Sequence, residues 1–282
     1  MSKITDEPDL YDILYQDLTD DIDLYCEMLK DKKEVLELGA GSGRITIPLA
    51  KKGIKVIALD NSDNMLKKLR DRLNNDLINN IEIVHDDMIT YIHPKKVSTI
   101  LIPFSTFNYL LSHDEQKRCI ETIAKNLEEN GELVMELILK NAFHNITQDD
   151  KLYLTKSINE NNYVYEYWTN TKYNKDTKII EQLREFKIYE NGNLINTVSN
   201  IEWKNRIVEY EDIIKMLEDN FEKIEILGID TNREEALGEY NQNCEYLIVK
   251  ARRKKDEVNN WWRIKKKVSR IENDNYNSKI IL

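Results

Sequence analysis

The stretch VLELGAGSGR, Val35 to Arg44, constrains this chain more than any other part of it. Its apolar start, Val35 to Leu38, reads as a buried strand that enters a loop with glycine at 39, 41 and 43 and then a helix. That is how α/β folds carry a nucleotide-like ligand, and glycine suits the loop because a Cβ would obstruct the ligand's approach. The spacing is G-x-G-x-G, not the G-x-G-x-x-G that turns helix-start N–H groups toward a pyrophosphate, and Arg44 stands where the third glycine of that pattern would fall. Glu37, two residues before the first glycine, puts a carboxylate at the end of the strand, which repels phosphate and attracts a cation.

Downstream, the pattern alternates between buried strands and helices. A helix is expected to run to Lys52 and stop at Gly53. IKVIALD (54–60) is then an uninterrupted apolar run, as a parallel strand buried on both faces should be. IEIVHDDM (81–88) and VSTILIPF (97–104) supply two more strands. Ser112 and Glu115 form a capping box for a helix with Ile120, Ile123, Ala124 and Leu127 on its buried stripe, and Asn130-Gly131 ends it before a strand at 131–139. The order implies an α/β, doubly wound, mostly parallel sheet.

These segments resemble the class I S-adenosylmethionine (SAM)-dependent methyltransferases, with VLELGAGSGR matching motif I. The resemblance implies a Rossmann-like doubly wound seven-stranded sheet with an antiparallel β insertion over the active site. It also implies which residues meet the cofactor. Glu37, Gly39, Ala40, Gly41 and Arg44 belong to motif I, and Asp60, Asn61 and Met65 follow the second strand. Asp60 lies 21 positions after Gly39, where an acid accepts from the ribose hydroxyls; as a lone acid it could instead cap the helix that begins near Ser62. Asp87 matches the carboxylate that accepts from the adenine amino group, with Asp86 able to share that role and Met88 beside the ring. IPFSTFNYLL resembles motif IV, which places Pro103, Phe104, Ser105 and Asn108 near the transferable methyl group. YDILYQDL resembles a recurrent element before motif I, in which Tyr11 and Tyr15 either form a lid or are packed as an i,i+4 aromatic pair.

After 139 the chain becomes polar, then alternates at Tyr163, Tyr165 and Tyr167, turns near Asn174–Asp176 and again at Asn191-Gly192, and runs from Leu194 to Trp203. The expectation is a three-strand antiparallel insertion above the ligand crevice, followed by a helix at 209–219 and strands at 223–230 and 244–252. YWTNTKYNKDTKIIEQLREFKIYENG and EWKNRIVEYEDIIKMLEDNFEKIEILG resemble small-molecule N-methyltransferases, including amino-sugar dimethyltransferases and some glycine-type enzymes. The domain reading is a helical lid (1–31), a SAM-binding core (32–139 and 205–252), a substrate-chamber insertion (140–204) and a basic tail (253–282). Tyr165 and Trp168 are candidate chamber residues, although strand alternation puts Trp168 on the face opposite Tyr165 and Tyr167. Arg206 matches an arginine of the subgroup and either binds an anionic group of the substrate or forms a structural ion pair. His144 is the candidate base, or a polar loop residue.

The 282 residues carry a formal net charge of −10, which disfavours nucleic acid as the main partner. The sequence from Arg252 to Arg270 has nine basic residues against two acidic ones. With Trp261 and Trp262, this tail reads as a docking segment or a solvated one, and a homodimer is left open. No apolar run reaches the ~20 residues of a membrane span, the first residues lack a signal peptide's apolar core, and the three cysteines have no metal-ligand spacing. A cytoplasmic protein without a metal fits these features. The expected activity is methyl transfer by in-line displacement to an N or O nucleophile of a small molecule or natural-product peptide. A non-catalytic SAM-binding regulatory module and a nucleic-acid methyltransferase are the alternatives.

Overall fold

The computed structural model describes residues 2–143, 146–230 and 237–255. After a short strand β1 (Ser2–Lys3) come helices α1 (Pro8–Tyr15) and α2 (Asp20–Met28). The core then alternates β2 (Glu34–Leu38), α3 (Thr46–Lys51), β3 (Lys55–Asp60), α4 (Asp63–Arg72), β4 (Ile81–His85), β5 (Val97–Ile102), α5 (His113–Asn126) and β6 (Leu127–Ile138). Four strands follow, β7 (Tyr153–Glu160), β8 (Tyr163–Asn174), β9 (Ile179–Glu190) and β10 (Asn193–Arg206). The chain then returns to the core as α6 (Tyr210–Glu218), β11 (Phe221–Ile229), β12 (Leu237–Glu239) and β13 (Tyr246–Arg253).

The core sheet has the order β12-β11-β13-β6-β5-β2-β3-β4, parallel from β4 to β6 and antiparallel beyond. Because the chain lays down β2, β3 and β4 toward one edge and then places β5 on the other side of β2, the strand order reverses between β2 and β5. The carboxyl ends of those strands, at Glu37–Gly39 and Ile102–Phe104, flank the crevice that such a reversal opens. Apolar residues on both faces of β2 and β3 are buried against α3 and α4 on one side and α5 on the other, so neither face meets water. Ser62 caps α4 by accepting the Met65 N–H at 3.4 Å, and Ser112 and Glu115 close the expected box on α5.

Three details differ from the sequence reading. The central sheet has eight strands, the extra one being the three-residue β12. Asn130-Gly131 is an irregularity inside β6, between the pairs Val97–Leu127 and Thr99–Glu132, with Asn130 at φ 64°, so the turn signal marks a bulge. The insertion has four antiparallel strands, not three, and β1 joins its edge in parallel beside β10. β7 escaped notice because only Ile158 of its eight residues is buried, which leaves no apolar alternation to read.

The inner face of the insertion sheet has its own core. Ile158, Tyr167, Phe186 and Ile201 pack on Ile4, Leu10 and Leu14 of the amino-terminal segment. Helix α1 is therefore packed as part of the insertion, although the core strands β2 to β6 lie between the two in sequence, whereas Tyr25 and Cys26 of α2 pack in the core.

Candidate active site

The three motif I glycines have three different reasons to be glycine. A Cβ on Gly39 would lie 2.3 Å from the Thr106 side chain, so the loop after β5 requires that residue to be small. A Cβ on Gly43 would meet Leu69 of α4 at 2.4 Å, which is helix packing. A Cβ on Gly41, at φ 56°, would meet no protein atom within 4 Å; this glycine alone borders open space. Its N–H donates to Asp60 Oδ2 at 2.8 Å, while Asp60 Oδ1 accepts from Ser62 N–H at 2.8 Å. The Asn61 N–H also lies close enough to contribute, and of the roughly four acceptor sites of a carboxylate this leaves one for a ligand. Ala40, 4% exposed, and Gly39 both anchor to the Leu59 carbonyl, which fixes the loop against β3.

Glu37 is 1% exposed and accepts from Thr46 Oγ1 at 2.6 Å. Burial raises its pKa to about 8, against the partial opposition of that hydrogen bond and of the Arg44 charge. Arg44 is occupied by the protein: its two terminal nitrogens grip Asp21 at 2.9 and 2.5 Å, one of them also donates to the Leu18 carbonyl, and the guanidinium lies 4.3 Å over the Phe104 ring. It joins α2 to the loop after β5. Phe104 and Ser105 both have left-handed backbones, at φ 50° and 58°. A buried network holds that turn: Tyr25 Oη donates to Glu136 at 2.5 Å and accepts from the Phe104 N–H, and Ser105 Oγ donates to the other Glu136 oxygen at 2.9 Å. Thr106 Oγ1 donates to the Pro103 carbonyl, completing the loop.

On the adjacent strand, the Asp86 carboxylate accepts from the Asp87 N–H and Asp87 Oδ1 from the Ile89 N–H, so both carboxylates are held beside Met88 past the end of β4. Asn61 gives its carbonyl to His85 Nε2, and Met65 is buried in the first turn of α4. Helix α1 lies against motif I: Asp12 accepts from Ser42 Oγ at 2.7 Å and pairs with Arg72, and Asp9 pairs with Lys68. Tyr11 and Tyr15 meet edge to face, and Tyr15 meets Phe104 in the same way at 4.9 Å between centroids.

Residues 35–131, which contain this crevice, match the family model described as "Methyltransferase domain". Over these residues the chain is similar to that family. Among curated proteins, a probable ribosomal RNA small subunit methyltransferase A of Methanosphaera stadtmanae is 37% identical over 67 residues, 24% of this chain and 25% of that protein. Phosphoethanolamine N-methyltransferase 1 of Triticum aestivum is 35% identical over 113 residues, 40% of this chain and 22% of that protein. The chain thus spans about a quarter of the length of these relatives. Solved structures match far more of it. The CcbJ methyltransferase from Streptomyces caelestis has a TM-score of 0.64 at 20% identity, covering 82% of this chain and 88% of its own. A SAM-dependent methyltransferase from Clostridium acetobutylicum reaches 0.68 at 17%, covering 89% and 99%. SAM-bound CalS10, an amino pentose methyltransferase from Micromonospora echinaspora, reaches 0.62 at 15%, covering 82% and 88%. This likeness shows that the core sheet and its insertion together have a known fold.

Three expected substrate residues are placed differently by the structure. Trp168 lies on the sheet face away from the lid, bonded to Glu166 and covered by the Lys187 ammonium at 4.4 Å from its ring. Its neighbour Tyr167 faces inward, so it is the even-numbered β8 residues that turn away from the chamber. Arg206, in the same alternation as Glu202 and Lys204, also lies on the outer side and donates to the Thr177 carbonyl at 2.7 Å. Asn108 is 0% exposed and spends its amide on the Ile138 and Arg206 carbonyls and the Ile138 N–H, clamping the core to the insertion instead of meeting a ligand. Tyr165 is on the inner face, packed with the lid cluster. His144 lies outside the described residues.

Two residues that sequence reasoning missed stand at this junction. Tyr109, just after the Phe104–Ser105 turn, accepts from Trp203 Nε1 at 2.8 Å. The residue is 43% exposed, but its hydroxyl is turned toward Trp203, where burial pushes its pKa up to about 12. Arg184, on the inner face of β9, lies 4.6 Å from the Trp203 ring. No local motif announces either of them.

Proposed function

We propose that this chain is a SAM-dependent methyltransferase that methylates an N or O nucleophile of a small molecule. The observation that carries the reading is the set formed by Glu37, Gly41 and Asp60 at the strand-order reversal. It combines a buried carboxylate suited to a cation, a backbone open to close approach, and an acid with acceptor capacity to spare. The residues present fit the cofactor: Asp60 would hold a ribose hydroxyl, Asp87 and Met88 the adenine, and Glu37 the cationic methionine end, with Tyr11, Tyr15 and Phe104 closing the crevice against water.

When bound, SAM supplies a sulfonium methyl group open to in-line attack. The protein's part is then alignment and exclusion of water. The network of Tyr25, Glu136 and Ser105 fixes the left-handed turn at Phe104, and the lid seals the crevice through Asp12 and Arg72. An amine acceptor needs no base beyond loss of its own proton, so a site with no catalytic dyad among its described residues suits this chemistry. The sugar and amine methyltransferases among the similar proteins support a small acceptor.

Calorimetry with SAM tests the reading. The wild-type protein should bind, and Asp60→Ala should weaken binding by at least tenfold, since a charge-assisted hydrogen bond contributes about 1.5–3 kcal/mol. Absence of SAM binding to the wild type, or an unchanged affinity in Asp60→Ala, would overturn it.

A further inference from the structure

We infer that Arg184 is the seat of an oxyanion, a carboxylate or phosphate carried by the methyl acceptor. The identification of that anion with the acceptor rests on the methyltransferase reading above.

Arg184 is 4% exposed. Its Nε and Nη2 both donate to one atom, Gln182 Oε1, at 3.0 and 2.7 Å, and its Nη1 is buried without a partner. Among the described residues no carboxylate makes an ion pair with it. A guanidinium stays charged at any physiological pH, and a buried charge without a counter-ion is costly to a fold. Arg44, the mostly covered arginine beside the glycine loop, has Asp21 as its acid. The missing negative charge at Arg184 is therefore the feature that a ligand would supply.

Its surroundings suit an oxyanion. Trp203 and Tyr167 flank the guanidinium at 4.6 and 5.8 Å from their ring centroids. The phenol groups of Tyr15, Tyr109 and Tyr167 lie within electrostatic reach of it. Aromatic walls exclude water and strengthen charge attraction, while phenol hydroxyls can donate to oxygens that the guanidinium fork leaves free. The planar fork matches a carboxylate or phosphate in two-pronged fashion. An aromatic cage could by itself take a cation, but here the cationic place is already filled by the protein.

Its position links it to the chemistry. Tyr109 follows directly on the turn at Phe104 and Ser105, and Tyr15 packs against the Phe104 ring. The charge thus sits one side-chain layer above the loop that borders the cofactor crevice. An acceptor anchored there by its anionic end would extend its nucleophile toward that loop, which makes the preferred substrates small amines or alcohols that also bear a carboxylate or phosphate.

The test uses the full chain loaded with S-adenosylhomocysteine (SAH). Tryptophan fluorescence, to which Trp203 contributes, is followed during titration with inorganic phosphate and, separately, with acetate. Saturable binding of at least one anion is expected, weakened at least tenfold in Arg184→Met and less in Arg184→Lys, with SAH affinity unchanged in both. The arginine side-chain 15N signals of the wild type should shift on addition of the same anion, a readout that needs no variant. Phosphoethanolamine against ethanolamine, and glycine against glycinamide, then separate phosphate from carboxylate recognition in a methyl-transfer assay. If neither anion binds saturably, or binds wild type and Arg184→Met alike, the assignment fails. Binding of the anion without any binding of SAH would instead support the anion seat and sink the methyltransferase reading.

Discussion

Glu37 makes the protein's stability and its ligand binding depend on pH in a direction that can be worked out. Its pKa is raised from 4.5 to about 8 by burial. Between those values the folded chain holds a proton that the unfolded chain has released, so stability conferred by the neutral form is complete below pH 4.5 and is lost as pH rises through 8. The loss is on the order of 3–5 kcal/mol for a fully buried group. Asp60 and Glu136 are raised as well, again chiefly by burial, so they add to the same slope. Glu37→Gln, which can still accept from Thr46, should raise the melting temperature at pH 8 and flatten the decline between pH 5 and 8. A cationic ligand favours the ionised carboxylate, so SAM binding near pH 7 should release a proton. Calorimetry in buffers of different ionisation enthalpy reads that release, and an enthalpy independent of buffer would contradict it. Glu37 and Asp60 were legible in the sequence because strand, glycine loop and acid sit within 26 residues of one another. Arg184 was not, because its burial depends on β9 lying between Thr169 of β8 and Ile201 of β10, a register set by long-range pairing.

At the scale of elements, the difference between a right and a wrong expectation lies in what sets each face. β2 and β3 are buried on both sides, so their apolar runs could be read without knowing their neighbours. β8 and β10 bury one face each, and alternation names two faces without saying which is inward. That choice is made by α1, whose Leu10 and Leu14 pack on Tyr167 and Phe186; Trp168 and Arg206 therefore fall on the outer face, a side that alternation alone had left open. The same helix carries the lid contacts. Asp12, through Ser42 and Arg72, is its tie to motif I. Asp12→Ala should raise the SAM dissociation constant about fivefold to tenfold, since one partly exposed ion pair and one hydrogen bond contribute together about 1–1.4 kcal/mol. Its melting temperature should move by only a few degrees. An unchanged SAM affinity would mean that α1 covers the crevice without helping to hold what lies in it.

At the scale of the whole molecule, the packing groups the chain differently from its sequence order. The amino-terminal segment is bonded to two bodies: α1 reaches down to motif I through Asp12, and β1 and Ile4 belong to the insertion through β10 and the cluster around Phe186. A ligand that orders the lid must therefore also restrain the insertion's edge, because β1 pairs with Ile201 and Glu202 of β10. Binding that draws an element into place slows its local opening, and amide exchange reports that opening residue by residue. SAH should slow exchange not only in the loops at 39–44 and 103–106 but also in α1 and along β10 near Ile201, with the strongest effect where β1 is paired. Asp12→Ala should remove the distant protection and leave that of the glycine loop. Protection confined to the core loops in the wild type would show that the lid moves independently of the insertion, and the coupling argued from their shared core would have to be abandoned.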